Sequence, residues 1–538
     1  MPRKKTVSIQ QPRLIAGVKK RSGRSERPER SDNGATSKSR LSSLIKSARD
    51  IMRKDAGLNG DLDRLPQLSW LLFLKCFDDL EIRREAEAAM RGERYTPAIP
   101  AKFRWRDWAA DPDKGATGPD LIDFVNNHLL PRLRGLNGAP QRQVIAAVFA
   151  ETYNRMLSGY LLRDVVNLVN GVNFNSSDDI FTLGHLYESM LKEMRDAAGD
   201  SGEFYTPRPV VRFIVERTKP KIGDRILDPA AGTGGFLVEA YEFLKPQQKT
   251  AKDRETLQTR MLHGVEKKPM PYLLGMMNLL LHGVESPNLR RDNALKTPLR
   301  EIGERDRYDV IVTNPPFGGE EERGIQLNFP EATRASETAL LFMQFIMRSL
   351  APGGRCGMVV PNGTLFGDGV AARVKQQLLE DFDLHTVVRL PNGVFAPYTS
   401  IPTNLLFFDK PGPTKDIWYY ELPLPEGRKN YTKTQPMQDA EFAECRELWD
   451  RREIGPRSWL VRAEDVAANN YNLDIKNPNR QDDYAHMPPE RLAADIAARE
   501  ARIAELMAEI QAMLRDQPNL TGLEDLAGLS GERRGRDG

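Results

Sequence analysis

The sequence predicts an α/β protein, built as an open, doubly wound, mainly parallel sheet with an all-helical domain before it and a helical tail behind it. Between about residues 178 and 409, short apolar runs alternate with amphipathic helical patterns in strict rotation. That rotation implies parallel pairing through right-handed crossovers. From 41 to 175 only the helical period recurs, and beyond about 436 the strand signal stops and a charged helical pattern takes over. The expected division is therefore a basic tail at 1–40, a helical domain at 41–175, a sheet domain at 176–435 and a helical, partner-binding region at 436–538.

In the first helical block Leu41, Leu44, Ile45, Ala48, Ile51 and Met52 recur at spacings of three and four. Leu68, Leu71, Leu72 and Cys76 do the same, as do Val144, Ala147 and Val148. Pro66, Pro100, Pro112, Pro119, Pro131 and Pro140 mark the expected breaks. In the sheet domain the strands are expected at 225–228, 262–266, 308–314, 357–360, 384–390 and 403–409. Helices are expected between them at 235–244, 271–282, 337–350 and 370–379. The last two strands follow one another without a long helix, which suggests an antiparallel hairpin at one edge of the sheet. In the tail, Ile496, Ile503, Leu506, Ile510 and Met513 fall near heptad spacing, with Arg499 in one expected apolar slot. A coiled-coil hairpin or partner-binding helix is the favoured reading.

Composition narrows the function classes. The chain of 538 residues is 40% hydrophobic and 28% charged, the balance of a globular protein with several cores. No apolar run approaches the roughly 18 residues of a membrane span, and no apolar stretch follows the charged N-terminus, so a cytoplasmic protein is expected. Cys76, Cys356 and Cys445 are odd in number and far apart, which fits buried, reduced thiols. The six histidines show no metal-ligand spacing, and no protein-bound metal is expected. The net charge is only +3, yet residues 1–40 carry twelve Lys and Arg against three Asp and Glu, a local +9. That tail is too polar to bury a core and is expected to be disordered, serving either solubility or sequence-independent phosphate contact.

Two motifs carry chemistry. Asp228-Pro229-Ala230-Ala231-Gly232-Thr233-Gly234-Gly235-Phe236 comes straight off a predicted strand and opens a helix. Its glycines admit a close ligand, and the acidic residue before them suits a ligand bearing an ammonium group better than a phosphate. Glu266 ends the next strand, where an acidic residue in nucleotide-binding sheets accepts from ribose hydroxyls. Asp292 follows another short segment and could accept from a purine amino group. The second motif, Asn314-Pro315-Pro316-Phe317, follows the strand at 308–313. Two prolines force the chain out of the sheet there, at the carboxyl edge where open α/β sheets bind ligands.

These two motifs together resemble the nucleic-acid amino-methyltransferases. The segment Gly202-Glu203-Phe204-Tyr205-Thr206-Pro207-Arg208 is similar to the extra cofactor segment of that class. With the helical N-terminal domain and the tail motif Asn470-Tyr471-Asn472-Leu473-Asp474, residues 41–516 resemble the modification (M) subunit of type I restriction-modification systems. The resemblance implies a doubly wound S-adenosylmethionine-dependent methyltransferase sheet acting on N6 of adenine in DNA. It implies that Glu203, Phe204, Tyr205, Thr206, Pro207, Arg208, Asp228, Gly232, Thr233, Gly234, Gly235, Phe236, Glu266 and Asp292 bind S-adenosylmethionine. Asn314 and Pro315 would accept from the target amine, with Pro316 completing the turn and Phe317 stacking on a base rotated out of the duplex. Implied partners are double-stranded DNA, a specificity (S) subunit, a second copy of the M subunit and a restriction (R) subunit, with no membrane. Guanine N2 in RNA and a glutamine amide in a translation factor remain rival targets of the same tetrapeptide type. Gly234 is expected where backbone closely approaches the cofactor.

Overall fold

The computed structural model describes residues 35–112, 115–171, 206–396, 399, 401–432, 435–479 and 489–515. Residues 1–34 of the basic tail and Glu203, Phe204 and Tyr205 lie outside the described residues, while the end of the tail, 35–40, is helical as the start of the helix Ala35–Met52, which corrects the expected start of the helical block at 41.

Among its described residues the N-terminal block has helices joined by loops and no strand, as its periodicity leads one to expect. Its centre is the thirty-residue helix Asp61–Met90. Leu68, Leu71, Leu72 and Cys76 are buried, and so are Trp70, Phe73, Leu74 and Phe77 on the other faces. A helix apolar on every side must be enclosed by its neighbours. Even Lys75 is buried there, its charge held by Asp79 at 2.6 Å. Pro66, expected as a break, lies inside this helix at its sixth position, where it removes one backbone bond without ending the helix. Pro119 and Pro140 do open helices, whereas Pro131 lies within one continuous helical run, just after the π-helical turn Phe124–Leu129.

A nine-stranded sheet follows, in the order β3-β2-β1-β4-β5-β7-β6-β8-β9. Its strands are β1 (Ile226–Asp228), β2 (Leu262–Glu266), β3 (Asn288–Arg291), β4 (Tyr308–Thr313) and β5 (Leu350–Pro361). Then come β6 (Asp383–Arg389), β7 (Thr403–Asp409), β8 (Asp416–Glu421) and β9 (Ser458–Arg462). Strands β1 to β5 pair in parallel, and β7 runs antiparallel to both β5 and β6. The expected hairpin is therefore antiparallel but internal: β7 is inserted between β5 and β6, and β8 extends the sheet in parallel with β6. The strand β9 corrects the expectation that strands end before residue 436. It is short, with only Ser458 and Trp459 buried, and so carries little alternation.

The helices between strands lie where expected, at Gly235–Leu244, Pro269–Leu281, Thr338–Ser349 and Val370–Asp381. Cys76, Cys356 and Cys445 are all buried free thiols. Residues 470–474 strap back onto the sheet's carboxyl side. Leu473 N donates to Leu365 O (2.9 Å), and Asp474 pairs with Arg389 on β6 (2.7 Å). No helix among the described residues is long and apolar enough to cross a membrane. By compactness, residues 1–452 with 460–475 form one unit and residues 453–459 with 476–538 another. The second unit contains the helix Pro489–Arg515, on which Ile496, Ile503, Leu506 and Ile510 are all exposed.

Candidate active site

The chain winds β1, β2, β3 in one direction and β4, β5 in the other, so the order reverses between β1 and β4. At such a switch point the two connecting loops part and leave a crevice at the carboxyl ends of the strands. β1 ends on Asp228 and β4 on Thr313, one residue before Asn314. The two sequence motifs thus meet across the switch point.

They are also bonded to each other. The Thr313 hydroxyl donates to Asp228 Oδ1 at 2.7 Å, and Ala230 N donates to the same oxygen at 3.2 Å. Asp228 Oδ2 is buried without a partner. Burial pushes this carboxyl up to about 7, against the lowering effect of the two donors, and the nearby charge of Glu266 adds to the rise. A buried, half-satisfied carboxyl at a sheet crevice is a candidate ligand-binding group.

The glycine loop is stapled from both sides. Gly232 N donates to Glu266 Oε2 (2.8 Å), and Lys268 N donates to Oε1 of the same side chain (2.7 Å). Glu266 therefore shapes the loop as well as ending β2. On the other side, buried Asn278 donates through Nδ2 to Thr233 O at 2.9 Å. Sequence reasoning missed Thr313 and Asn278; the signal for Asn278 was a lone amide within the apolar run of the helix Pro269–Leu281.

Gly232 and Gly234 both have left-handed backbones, φ 52° and 75°. A Cβ on Gly232 would meet nothing within 4 Å, whereas one on Gly234 would point at Gly275 O (3.5 Å) in the helix Pro269–Leu281. A side chain added at Gly234 would thus meet the helix Pro269–Leu281 and one at Gly232 open space.

The remaining residues fall around this loop. Asp292 N donates to Glu266 O (3.0 Å), which sets Asp292 beside Glu266, while its Oδ1 accepts from Asn293 N (2.9 Å) and faces Lys296 (3.5 Å). Arg208, buried, donates to Gly235 O at 3.4 Å, and Phe236 is buried in the core beneath. Pro207 caps the helix Arg208–Thr218.

On the β4 side, Asn314 Nδ2 donates to Thr206 Oγ1 at 2.9 Å, and Asn314 Oδ1 is buried without a partner. Pro315 is buried and Pro316 half-buried. Phe317 is only 5% exposed and packs edge-on against Phe395, ring centroids 5.4 Å apart. A base stacking on Phe317 would have to share that ring with Phe395. The loop beyond is fastened by Thr338, whose hydroxyl donates to Gly319 O (2.9 Å). Glu321 in that loop accepts from Asn293 Nδ2 (3.4 Å) and pairs with Lys267 (3.2 Å), linking it to the ends of β2 and β3.

The site thus offers two orphaned acceptors, a cradle of open space at Gly232 and acidic residues at adjacent strand ends. That set of acceptors fits S-adenosylmethionine, whose ammonium and ribose hydroxyls are donors and whose adenosine is flat.

Comparison with known proteins agrees. A model of the N-6 DNA Methylase family matches residues 176–486, more than half of the chain, and a model of the HsdM N-terminal domain matches 41–169. The chain is 47% identical over 487 residues to the EcoEI type I restriction enzyme methylase subunit of Escherichia coli, covering 88% of this chain and 97% of that one. Against the EcoKI methylase subunit of E. coli K12 it is 30% identical over 429 residues, covering 74% and 75%. A crystal structure of a modification subunit from Vibrio vulnificus YJ016 superposes with a TM-score of 0.79 at 55% identity, over 85% of this chain and 100% of that one. A chain from a structure of the type I R-M system gives a TM-score of 0.66 at 45% identity, over 89% and 99%. The chain belongs to the methylase (modification) subunits of type I restriction enzymes, S-adenosylmethionine-dependent methyltransferases acting on N6 of adenine in DNA.

Proposed function

We propose that the two sides of the switch point divide the labour, the β1–β2–β3 side holding the methyl donor and the β4 side holding the target adenine. When bound, S-adenosylmethionine supplies an electrophilic methyl group on a sulfonium. Asp228 Oδ2 would accept from the ammonium of its methionine moiety, Gly232 would border it, and Glu266 and Asp292 would receive the nucleoside. The segment 203–208 would close this side, with Thr233, Gly235, Phe236 and Arg208 shaping the loop.

On the β4 side, Asn314 Oδ1 and the Pro315 carbonyl accept from the two hydrogens of the target amine. An aromatic amine is a poor nucleophile because its lone pair is delocalised into the ring. Two acceptors on its hydrogens favour a pyramidal nitrogen with that lone pair free for the methyl group. Phe317 then stacks on the extruded base. The observation that carries this reading is the partnerless, buried Asn314 Oδ1 at the end of β4. Burying an acceptor without a donor costs about 1–3 kcal/mol, a cost that a bound amine would recover.

The test is Asn314→Ala. Methyl transfer should fall by two or more orders of magnitude, roughly the loss from removing one positioned polar group at a reacting centre, while S-adenosylmethionine affinity stays within about twofold. Wild-type turnover in this variant would overturn the assignment.

At the level of the assembly, the chain would work in the cytoplasm with double-stranded DNA, a specificity subunit, a second copy of itself and a restriction subunit. Two observations support this. The first is the 45% identical chain, which comes from a structure concerned with complex assembly of the type I R-M system. The second is the exposed aliphatic stripe on the helix Pro489–Arg515. Residues 41–175 and 176–435 would act as helical and methyltransferase domains, and the basic tail would add salt-sensitive contact to DNA phosphates.

A further inference from the structure

We infer that Thr206 is a positioning residue for methyl transfer, one that holds the Asn314 amide with Oδ1 toward the target adenine. The inference rests on the reading above, in which Asn314 Oδ1 accepts from the target amine, and it takes Thr206 out of a purely cofactor-binding role.

An Asn amide has one accepting end and one donating end, and rotating it by half a turn exchanges them. At this site the two orientations differ sharply in chemistry. With Oδ1 toward the substrate, the amide accepts from the adenine amine. With Nδ2 there, two N–H hydrogens would confront two others, and the amine would lose its acceptor. The amide must therefore be held with Oδ1 toward the substrate.

The amide is held by Thr206. Its hydroxyl oxygen accepts from Asn314 Nδ2 at 2.9 Å, which leaves Oδ1 as the free end. Thr206 stands directly before Pro207 and the helix Arg208–Thr218, so its backbone is held by a fixed proline and a helix start. That helix is anchored in turn, with Arg208 donating to Gly235 O of the glycine loop (3.4 Å). On the other flank of Asn314, buried Thr313 donates to Asp228 Oδ1 (2.7 Å). Asn314 is thus held by its side chain to the Thr206 segment and by its backbone neighbour to the end of β1. The bond from Thr206 acts on the amide alone, and this separates its role from that of a general scaffold.

The experiment uses the complex with the specificity subunit and a duplex carrying a single target adenine, with Thr206→Val, Thr206→Ser and Asn314→Ala compared at saturating S-adenosylmethionine. Valine keeps the shape and removes the acceptor; serine restores it. In Thr206→Val, kcat should fall about tenfold, because the competent rotamer now leaves a buried N–H without an acceptor. The Kd for S-adenosylmethionine should stay within about twofold, and Thr206→Ser should recover most of the rate. An unchanged kcat in Thr206→Val, a Kd that weakens in step with the rate, or a serine variant as slow as the valine one would each overturn the inference. Asn314→Ala separates the two claims. If it retains wild-type turnover, the target-side reading itself fails. If it is inactive while Thr206→Val is fast, only the role of Thr206 fails.

Discussion

Asp228 shows what one buried carboxyl contributes to this site. Its pKa is raised from 3.8 to about 7 by burial, so the folded chain holds a proton that the unfolded chain releases. Its stabilising contribution is therefore complete below about pH 4 and is lost as the pH rises through 7. At 1.36 kcal/mol per unit, the loss reaches at most about 4 kcal/mol. Asp228→Asn mimics the protonated form and removes that loss. Denaturant unfolding from pH 4 to 8 should show wild type losing stability relative to the variant as pH rises, with the difference levelling off above about pH 8. A cationic ligand favours the ionised carboxyl, so S-adenosylmethionine affinity should also tighten toward pH 7 in wild type and not in Asp228→Asn. Parallel pH profiles for the two proteins would show that Asp228 is not the titrating group.

At the scale of elements, the glycine loop is positioned by the helix Pro269–Leu281. Gly275 in that helix lets it approach: a Cβ there would lie 2.9 Å from Leu289 Cδ2 and 3.0 Å from Gly232 O. Gly to Ala in a helix interior ordinarily gains about 1 kcal/mol. Overpacking costs about 1–3 kcal/mol, and although the Leu289 side chain can turn aside, the Gly232 carbonyl belongs to backbone pinned by Glu266. Crowding should win. Gly275→Ala is expected to unfold about 0–2 kcal/mol more easily and to bind S-adenosylmethionine several-fold more weakly, as read by denaturation and calorimetry. A variant stabilised by 1 kcal/mol with normal binding would mean that the loop yields freely. The same scale explains which strands were hard to read. β3 buries only Leu289, and β8 buries Ile417, Trp418, Tyr419 and Tyr420 in one run, so neither shows the alternation of a half-buried strand.

At the scale of the whole molecule, the exposed stripe Ile496, Ile503, Leu506 and Ile510 belongs to a different compact unit from the methyltransferase sheet. Each large aliphatic side chain buried against a partner would contribute roughly 1.5–3 kcal/mol, so a few suffice to offset the cost of association. Removal of residues 489–538 should abolish co-purification with the specificity subunit. S-adenosylmethionine binding should remain within about twofold of the full chain. Light scattering and calorimetry on the truncated chain read both. Stable assembly without this segment would place the partner surface elsewhere.

Local sequence determined much of this protein. The glycine loop, the helix Gly235–Leu244, the strand Leu262–Glu266 and Asn-Pro-Pro-Phe after β4 were all legible, because each depends on a period or a backbone restriction carried by adjacent residues. The families of motif in their order along the chain carried the chemistry as well. Tertiary structure alone decided where β7 lies, since a strand's pattern shows which face is buried but not which neighbour it pairs with. It also decided that Gly232, and not Gly234, borders open space, because the direction of a missing Cβ depends on the turn around it. The bonds from Asn314 to Thr206 and from Thr313 to Asp228 join residues 108 and 85 positions apart. Partners so distant are chosen by the crossing of the sheet at its switch point, which no local pattern records.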